Sequence, residues 1–130
     1  MLAILLHEDA KADLRKLMAD APVAARAIIA LLEQLEADEE LLDRLTELNF
    51  GEYESEEFHV TPIVHEQNKN RNIWRLKVWD LENLGLKYRV IYGYVGRPKK
   101  YHVFAVVDRD FNYEENHPIT KRIQEAYDWT

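Results

Sequence analysis

The sequence contains no cysteine and only four glycines in 130 residues. The lack of cysteine excludes disulfide bonds, thiolate metal sites and a cysteine nucleophile, and it is typical of proteins in a reducing compartment. The four glycines are widely spaced, so they do not form a Gly-rich phosphate-binding loop.

Long hydrophobic runs are also missing. No apolar stretch approaches the roughly 20 residues that span a bilayer. The opening "MLAILL" is too short for the core of a signal peptide, and no cationic residue precedes it. The protein is therefore predicted to be cytoplasmic and to have no membrane partner. A length of 130 residues suits one domain, covering residues 1–130.

Positive charge is scarce in the first half of the chain. Residues 1–66 carry 5 Lys/Arg and 16 Asp/Glu, whereas residues 67–130 carry 12 Lys/Arg and 8 Asp/Glu. Ten of those 12 cations fall within residues 67–109. The net charge of −7 argues weakly against a nucleic-acid partner, but the asymmetry predicts one acidic face and one anion-binding face. Two solvated surfaces of unequal charge are the alternative that composition leaves open.

Apolar periodicity in the first third of the chain predicts a strand followed by a helical hairpin. The strand is predicted at residues 1–6, and a helix capped by Asp9 at residues 10–19. Pro22 suits the first turn of a second helix. Asp38 is placed to cap a continuation of that helix as far as Leu48.

The rest of the chain predicts a sheet and a last helix. Residues 49–72 are polar and predict a loop with a short edge strand at Phe58–Val64. Three alternating segments, "NIWRLKVWD", "KYRVIYGYV" and "KYHVFAVVD", predict consecutive strands joined by "LENLGL" and by the turn "GRPKK". A helix is predicted from Pro118 to Tyr127. The predicted fold is α+β, with the amino-terminal helical hairpin packed on one side of a mostly antiparallel sheet of four or five strands and a carboxy-terminal helix.

Five cations fall at matching places on the three predicted strands. Side chains alternate along a strand, so Arg75 and Lys77 share a face of the first, and Lys87 and Arg89 share a face of the second. Arg109 follows the third. Holding like charges together costs free energy, so their convergence would indicate an anionic ligand. The planar fork of arginine suits phosphate. The alternative is that each cation pairs with a carboxylate or lies along the surface.

Several segments resemble one family when they are taken in order. They are "ILLHEDAKADLRKL", "WRLKV", "YRVIY" at residues 88–92, "VVDRDFNY" at residues 107–113, and the last helix. This combination resembles the RelE/ParE superfamily of bacterial toxins from type II toxin–antitoxin pairs. The resemblance covers nearly the whole chain except residues 49–72. That segment, together with a longer connection between Lys77 and Arg89, can cover or reshape the site.

RelE-type members cut messenger RNA, usually on the ribosome, without a metal ion or other cofactor. The resemblance therefore implies an endoribonuclease whose partners are messenger RNA, in some cases the ribosome, and a cognate antitoxin. In such a reaction, fixed cations stabilise the negative charge that develops at phosphorus. A tyrosine close to cations is expected to have a lowered pKa and to act as general base. The implied catalytic residues are Arg75, Lys77, Arg89, Arg109 and Tyr113.

Two further residues are predicted to bind substrate. Lys87 shares the face of Arg89, and Trp79 shares the face of Arg75, where an indole can stack on a base. Among the five histidines, none forms a metal-binding pair at i, i+4, and "VHEQN" lacks the second histidine of a zincin. His65 and His117 are the histidines considered as an alternative acid or base.

Two other functions stay open at this stage. ParE-type members of the same superfamily poison DNA gyrase by protein contact and catalyse nothing, and an inactive binding module of this fold is the other alternative. The cations at all four implied positions favour the nuclease, because a protein-binding relative does not need them to converge. Ribosome dependence, codon preference and oligomeric state are not fixed by the sequence.

Overall fold

In a computed structural model of the protein, the described residues (4–54, 56–95 and 100–130) contain one five-stranded sheet. Its strands are β1 (Ile4–Leu6), β2 (Phe58–Pro62), β3 (Ile73–Val78), β4 (Tyr88–Val95) and β5 (Lys100–Asp108). The strand order is β1-β5-β4-β3-β2; β1 runs parallel to β5, and the other neighbours are antiparallel. The predicted α+β fold with a mostly antiparallel sheet is confirmed.

Six α-helices complete the described fold. They are α1 (Glu8–Asp20), α2 (Pro22–Ala37), α3 (Glu39–Asp43), α4 (Val64–Gln67), α5 (Trp79–Asn83) and α6 (Pro118–Asp128), and a 3-10 turn at Arg44–Thr46 follows α3. Among the described residues, no helix combines the length and apolar character needed to cross a bilayer.

Helices α1 and α2 form the predicted hairpin and cover one face of the sheet. Leu17 and Leu35 are buried in a single cluster with Leu76 of β3 and Tyr92 of β4. Burying a leucine side chain contributes about 1.5–3 kcal/mol, so this cluster supplies much of the stability of the domain. The hydroxyl of Tyr92 donates to the backbone oxygen of Leu45 at 2.6 Å, which satisfies the polar end of a fully buried ring.

Helix α6 packs on the face of the sheet opposite the hairpin, so helices cover both faces. Ile123 of α6 is buried in a second cluster with Ile73, Ile91 and Phe104. Ile73 and Ile91 point away from the first cluster because neighbouring side chains on a strand alternate between faces. The sheet is therefore apolar on both faces where α6 covers it.

Two of the predicted caps have different outcomes. Asp38 caps α3 as predicted, because its Oδ1 accepts the backbone N–H of Leu41 at 3.1 Å. Asp9 does not cap α1, since that helix begins one residue earlier at Glu8 and His7 occupies the capping position without a side-chain bond. Asp9 lies in the first turn, 3.5 Å from the guanidinium of Arg122.

Other predicted boundaries shift by a few residues. Helix α2 begins at Pro22 as predicted, but α3 ends at Asp43 and Leu48 is exposed. β2 confirms the edge strand but ends at Pro62. The predicted first strand lies partly, and the "GRPKK" turn mostly, outside the described residues.

The first of the three predicted strands was expected to reach Asp80. It ends at Val78 instead, and α5 begins at the next residue, Trp79. This short helix was not predicted, because "WDLEN" is too short to show a helical period. It carries Glu82 towards the sheet, where the carboxylate contacts Arg89.

Candidate active site

A cleft of about 360 Å³ opens on the face of the sheet that α6 covers in part. Strands β2 to β5, helix α4 and the loop after β5 line it, and no residue of α6 does. All five residues predicted to be catalytic line this cleft, namely Arg75, Lys77, Arg89, Arg109 and Tyr113. No Asp or Glu is found among the described lining residues. The charged side chains of the described lining are therefore all cationic, although the protein as a whole is acidic.

Strand pairing explains why these side chains meet. In the pairing of β2 with β3, His59 lies opposite Lys77, and Thr61 lies opposite Arg75. Arg89 is on β4, the next strand, and its side chain points to the same face. Directly opposite residues on neighbouring strands are about 5 Å apart, so three strands place these groups within reach of a single phosphate.

Arg75 is the most available cation of the cleft. Its side chain is exposed, and its Nε donates to the hydroxyl of Thr61 at 2.9 Å. Its two terminal amino groups have no hydrogen-bond partner among the described residues. The bond to Thr61 fixes the plane of the guanidinium and leaves the outer edge of the fork for a ligand oxygen.

Lys77 lies against an aromatic wall. Its Nζ is 4.5 Å from the centre of the Trp79 ring, a distance that allows a cation–π interaction. Partial burial lowers the pKa of Lys77, and the positive charges of Arg89 and Arg75 lower it further, although Glu82 and Glu54 act in the opposite direction. An anion in the cleft would relieve this repulsion between cations.

The Trp79 wall is anchored by the loop before β2. Its Nε1 donates to the backbone oxygen of Gly51 at 2.7 Å. Gly51 has a φ of +77°, and a Cβ at this position would lie 1.8 Å from the backbone oxygen of Phe58. Only glycine fits such a backbone, so this part of the loop anchors the indole that lies against Lys77.

Arg89 is held by an internal carboxylate. Its Nη1 and Nη2 contact the two carboxylate oxygens of Glu82 at 2.8 and 3.1 Å, and Nη1 also donates to the backbone oxygen of Tyr88. The two side chains are only 18% and 12% exposed. For Arg89 the structure therefore shows the pairing with a carboxylate that the sequence left open, because the unpredicted helix α5 brings Glu82 onto it.

Arg109 lies at the open rim of the cleft. It is exposed, its backbone N–H donates to the backbone oxygen of Lys87 at 2.8 Å, and its Nε is 3.7 Å from Asp110. Exposed ion pairs of this kind contribute little to stability, so the side chain is free to turn towards a ligand.

The two residues predicted to bind substrate do not line the cleft. Lys87 lies in a neighbouring depression, which it shares with Arg109. Trp79 is half-buried behind His59, with the two rings nearly parallel at 8° and their centres 5.9 Å apart. Trp79 therefore stacks on His59, and the structure does not place it to stack on a base of the substrate.

Tyr113 does not have the lowered pKa expected of a general base. Burial raises its pKa, and the negative charge of Glu66 raises it further. Its hydroxyl is enclosed and has no hydrogen-bond partner among the described residues. The cations that were expected to stabilise the phenolate therefore do not set its pKa. The backbone φ of +63°, which is rare for a bulky residue, turns the ring into the second apolar cluster.

His59 also lines the cleft, and the sequence analysis did not select it. Partial burial lowers its pKa, followed by the charges of Lys77, Arg75 and Arg89, with Glu52 acting in the opposite direction. Its ring is therefore neutral at neutral pH. The alternation of Phe58, His59 and Val60 puts His59 on the face opposite the core, but only the pairing with β3 shows that this face is the cleft.

The two histidines considered earlier are placed differently. His65 lines the cleft, with its Nε2 3.7 Å from the fully buried carboxylate of Glu66. His117 instead caps α6, because its Nδ1 accepts the backbone N–H of Ile119 at 3.1 Å. His102 is largely buried, and its Nδ1 lies 2.9 Å from the Nε2 of His7.

The arrangement suits binding of a phosphodiester and a proton transfer beside it. Cations on two adjacent strands and in the loop after β5 face an open cleft, and a neutral imidazole lies opposite one of them. Within the described part of the chain, no group of three His, Asp or Glu side chains is placed to hold a metal ion.

Comparisons with protein-family models, curated proteins and solved structures find no match for this chain. The resemblance to RelE/ParE toxins therefore stays a prediction from the sequence. The lining of the cleft carries the functional conclusion.

Proposed function

We propose that the protein is an endoribonuclease that cleaves messenger RNA, acting as the toxin of a type II toxin–antitoxin pair in the cytoplasm. The observation that carries this proposal is the lining of the cleft. It has four cations, Arg75, Lys77, Arg89 and Arg109, and no carboxylate among its described lining residues.

The proposed reaction is attack by a 2′-hydroxyl on the adjacent phosphorus. The 2′-oxygen forms a bond to phosphorus, the bond to the 5′-oxygen breaks, and the products are a 2′,3′-cyclic phosphate and a 5′-hydroxyl. Negative charge on the non-bridging oxygens grows in the transition state. Arg75 and Lys77 are placed to stabilise it because the bond to Thr61 and the Trp79 ring hold them at the cleft.

RNA fits this cleft better than an isolated anion does. The cations extend from Arg75 and Lys77 on β3 to Arg109 at the rim, so successive phosphates of one strand have partners. The net charge of −7 disfavours binding to nucleic acid elsewhere on the surface, which makes a localised cleft the site of contact.

An antitoxin is the proposed protein partner. A disordered acidic segment that folds as it binds would neutralise the cleft and exclude RNA. The prediction is loss of cleavage when the partner is bound. A partner that bound only the acidic helices and left cleavage unchanged would contradict this mode of inhibition.

The cleavage assay uses purified protein with excess EDTA, free RNA in one reaction and translating ribosomes in another. We expect fragments with 5′-hydroxyl ends and cyclic phosphates in at least one of the two. Arg75→Gln should lower the cleavage rate about 100- to 1000-fold, the loss typical of one donor to a developing anion. Arg15→Gln is the matched control, since Arg15 is exposed on α1, which packs on the other face of the sheet.

A different result would favour the binding function. If both RNA substrates stay intact while the protein binds DNA gyrase and inhibits it, the cleft is a protein-docking surface of the ParE kind. Intact RNA and no gyrase binding would leave the inactive module as the explanation.

A further inference from the structure

We propose that His59 is the general base of the cleft and takes the proton from the attacking 2′-hydroxyl. This inference rests on the proposed nuclease function and assigns to His59 the role of general base that the resemblance implied for Tyr113. His59 lies directly opposite Lys77 in the β2–β3 pairing and lines the same cleft. A phosphate bound by Lys77 would bring its neighbouring ribose to the imidazole.

The ring of His59 is held in place from behind. It lies parallel to the indole of Trp79, whose Nε1 is bonded to the backbone oxygen of Gly51 at 2.7 Å. The Nε2 of His59 is enclosed and has no hydrogen-bond partner among the described residues. Burying a polar atom without a partner costs free energy, so a substrate hydroxyl that reached this nitrogen would relieve that cost.

The charges around His59 favour the neutral ring that a base requires. Lys77 and Arg75 on β3 and Arg89 on β4 disfavour the imidazolium, Glu52 in the loop before β2 favours it, and the net effect with burial is a lowered pKa. The phosphate changes this balance: as negative charge grows on its oxygens, the imidazolium becomes less costly. Proton transfer is therefore coupled to attack at phosphorus.

Protons and bonds balance in this step. His59 takes the 2′-hydroxyl proton as the 2′-oxygen bonds to phosphorus, and the departing 5′-oxygen takes a proton from water. The hydroxide left behind then removes the proton from His59, which restores the neutral ring. Tyr113 is not suited to this step because burial raises its pKa, so its phenolate is not formed near neutral pH.

The test compares His59→Gln with the wild type in pH–rate profiles and in binding. We expect the variant to cleave at least about 100-fold more slowly, the lower end of the contribution of a general base. The wild-type rate should rise with pH along an acid limb whose midpoint lies below the usual histidine pKa of 6.5, and the variant should lack that limb. Binding of an uncleavable RNA with a 2′-deoxy group at the cleavage site should stay within about threefold, which shows that the variant is folded.

His7→Gln is the control, because burial also lowers the pKa of His7 but this residue lies beside β1 at the opposite edge of the sheet. It should keep the wild-type profile. If the wild type cleaves RNA and His59→Gln keeps both the wild-type rate and the acid limb, the proposed role of His59 is wrong and the nuclease function is unaffected. A wild type that cleaves no RNA, free or on ribosomes, would overturn both the nuclease function and this role.

Discussion

The guanidinium of Arg89 contacts both carboxylate oxygens of Glu82, at 2.8 and 3.1 Å, in a cleft that Arg75, Lys77 and Arg109 also line. A phosphate that binds Arg89 must compete with this carboxylate. Glu82 therefore sets how much of the positive charge of Arg89 the cleft presents.

Replacing Glu82 by glutamine should strengthen anion binding. Glu82→Gln keeps the shape of the side chain but removes one negative charge from Arg89, so we expect RNA to bind about fivefold more tightly, equivalent to about 1 kcal/mol. Fluorescence anisotropy with an uncleavable RNA at fixed salt measures this change. Glu33→Gln on the exposed side of α2 is the control. Weaker binding in Glu82→Gln would mean that the carboxylate positions Arg89 for substrate and does not compete with it.

Removing Arg89 should destabilise the protein. Because Glu82 is only 12% exposed, Arg89→Ala leaves a nearly buried carboxylate unpaired, and the free energy of unfolding should fall by about 1–3 kcal/mol. Urea denaturation of Arg89→Ala and of the double variant Arg89→Ala/Glu82→Ala measures the effect. The double variant should recover part of the loss. Equal stability of Arg89→Ala and the wild type would show that the ion pair contributes nothing.

Tyr113→Phe should keep the cleavage activity and raise stability. The hydroxyl of Tyr113 is buried without a partner among the described residues, so its removal should increase the free energy of unfolding by about 1 kcal/mol. Cleavage should stay within a few-fold of the wild type, since the raised pKa prevents the hydroxyl from acting as base. If Tyr113→Phe is folded and its cleavage rate falls about 100-fold, the hydroxyl of Tyr113 takes part in catalysis.

Stability should decrease as the pH falls from about 7.5 to about 5.5. The pKa values of His7, His59 and His102 are all lowered, in each case mainly by burial. The unfolded chain therefore binds protons near the usual value of 6.5 that the folded protein does not yet bind, and this uptake favours unfolding. Urea midpoints across this range measure the slope.

The double variant His7→Gln/His102→Gln tests the source of that slope. His7 and His102 lie 2.9 Å apart between ring nitrogens, and two imidazolium rings cannot share a hydrogen bond at this distance. Their replacement should flatten the dependence on pH. A slope unchanged in the double variant would assign the effect to other groups.

Short-range pattern was enough to predict the strands and the longer helices α1, α2 and α6. Alternation in "IWRLKV" placed Arg75 and Lys77 on one face and Trp74 and Leu76 in the core, and both assignments agree with the structure. Pro22 and Asp38 marked the helix starts correctly because a missing N–H and a capping oxygen act within one turn. The cap predicted at Asp9 was wrong, because Asp9 is the second residue of α1.

What the sequence by itself determined is therefore the strands, the longer helices and the side of the strand on which Arg75, Lys77 and Arg89 lie, because these depend on neighbours within a few residues. Only the tertiary structure decided which groups meet. The order β1-β5-β4-β3-β2 brought His59 opposite Lys77. Helix α5 placed Glu82 on Arg89, and burial raised the pKa of Tyr113. These outcomes depend on strand register and burial, which are set by contacts between residues far apart in the chain.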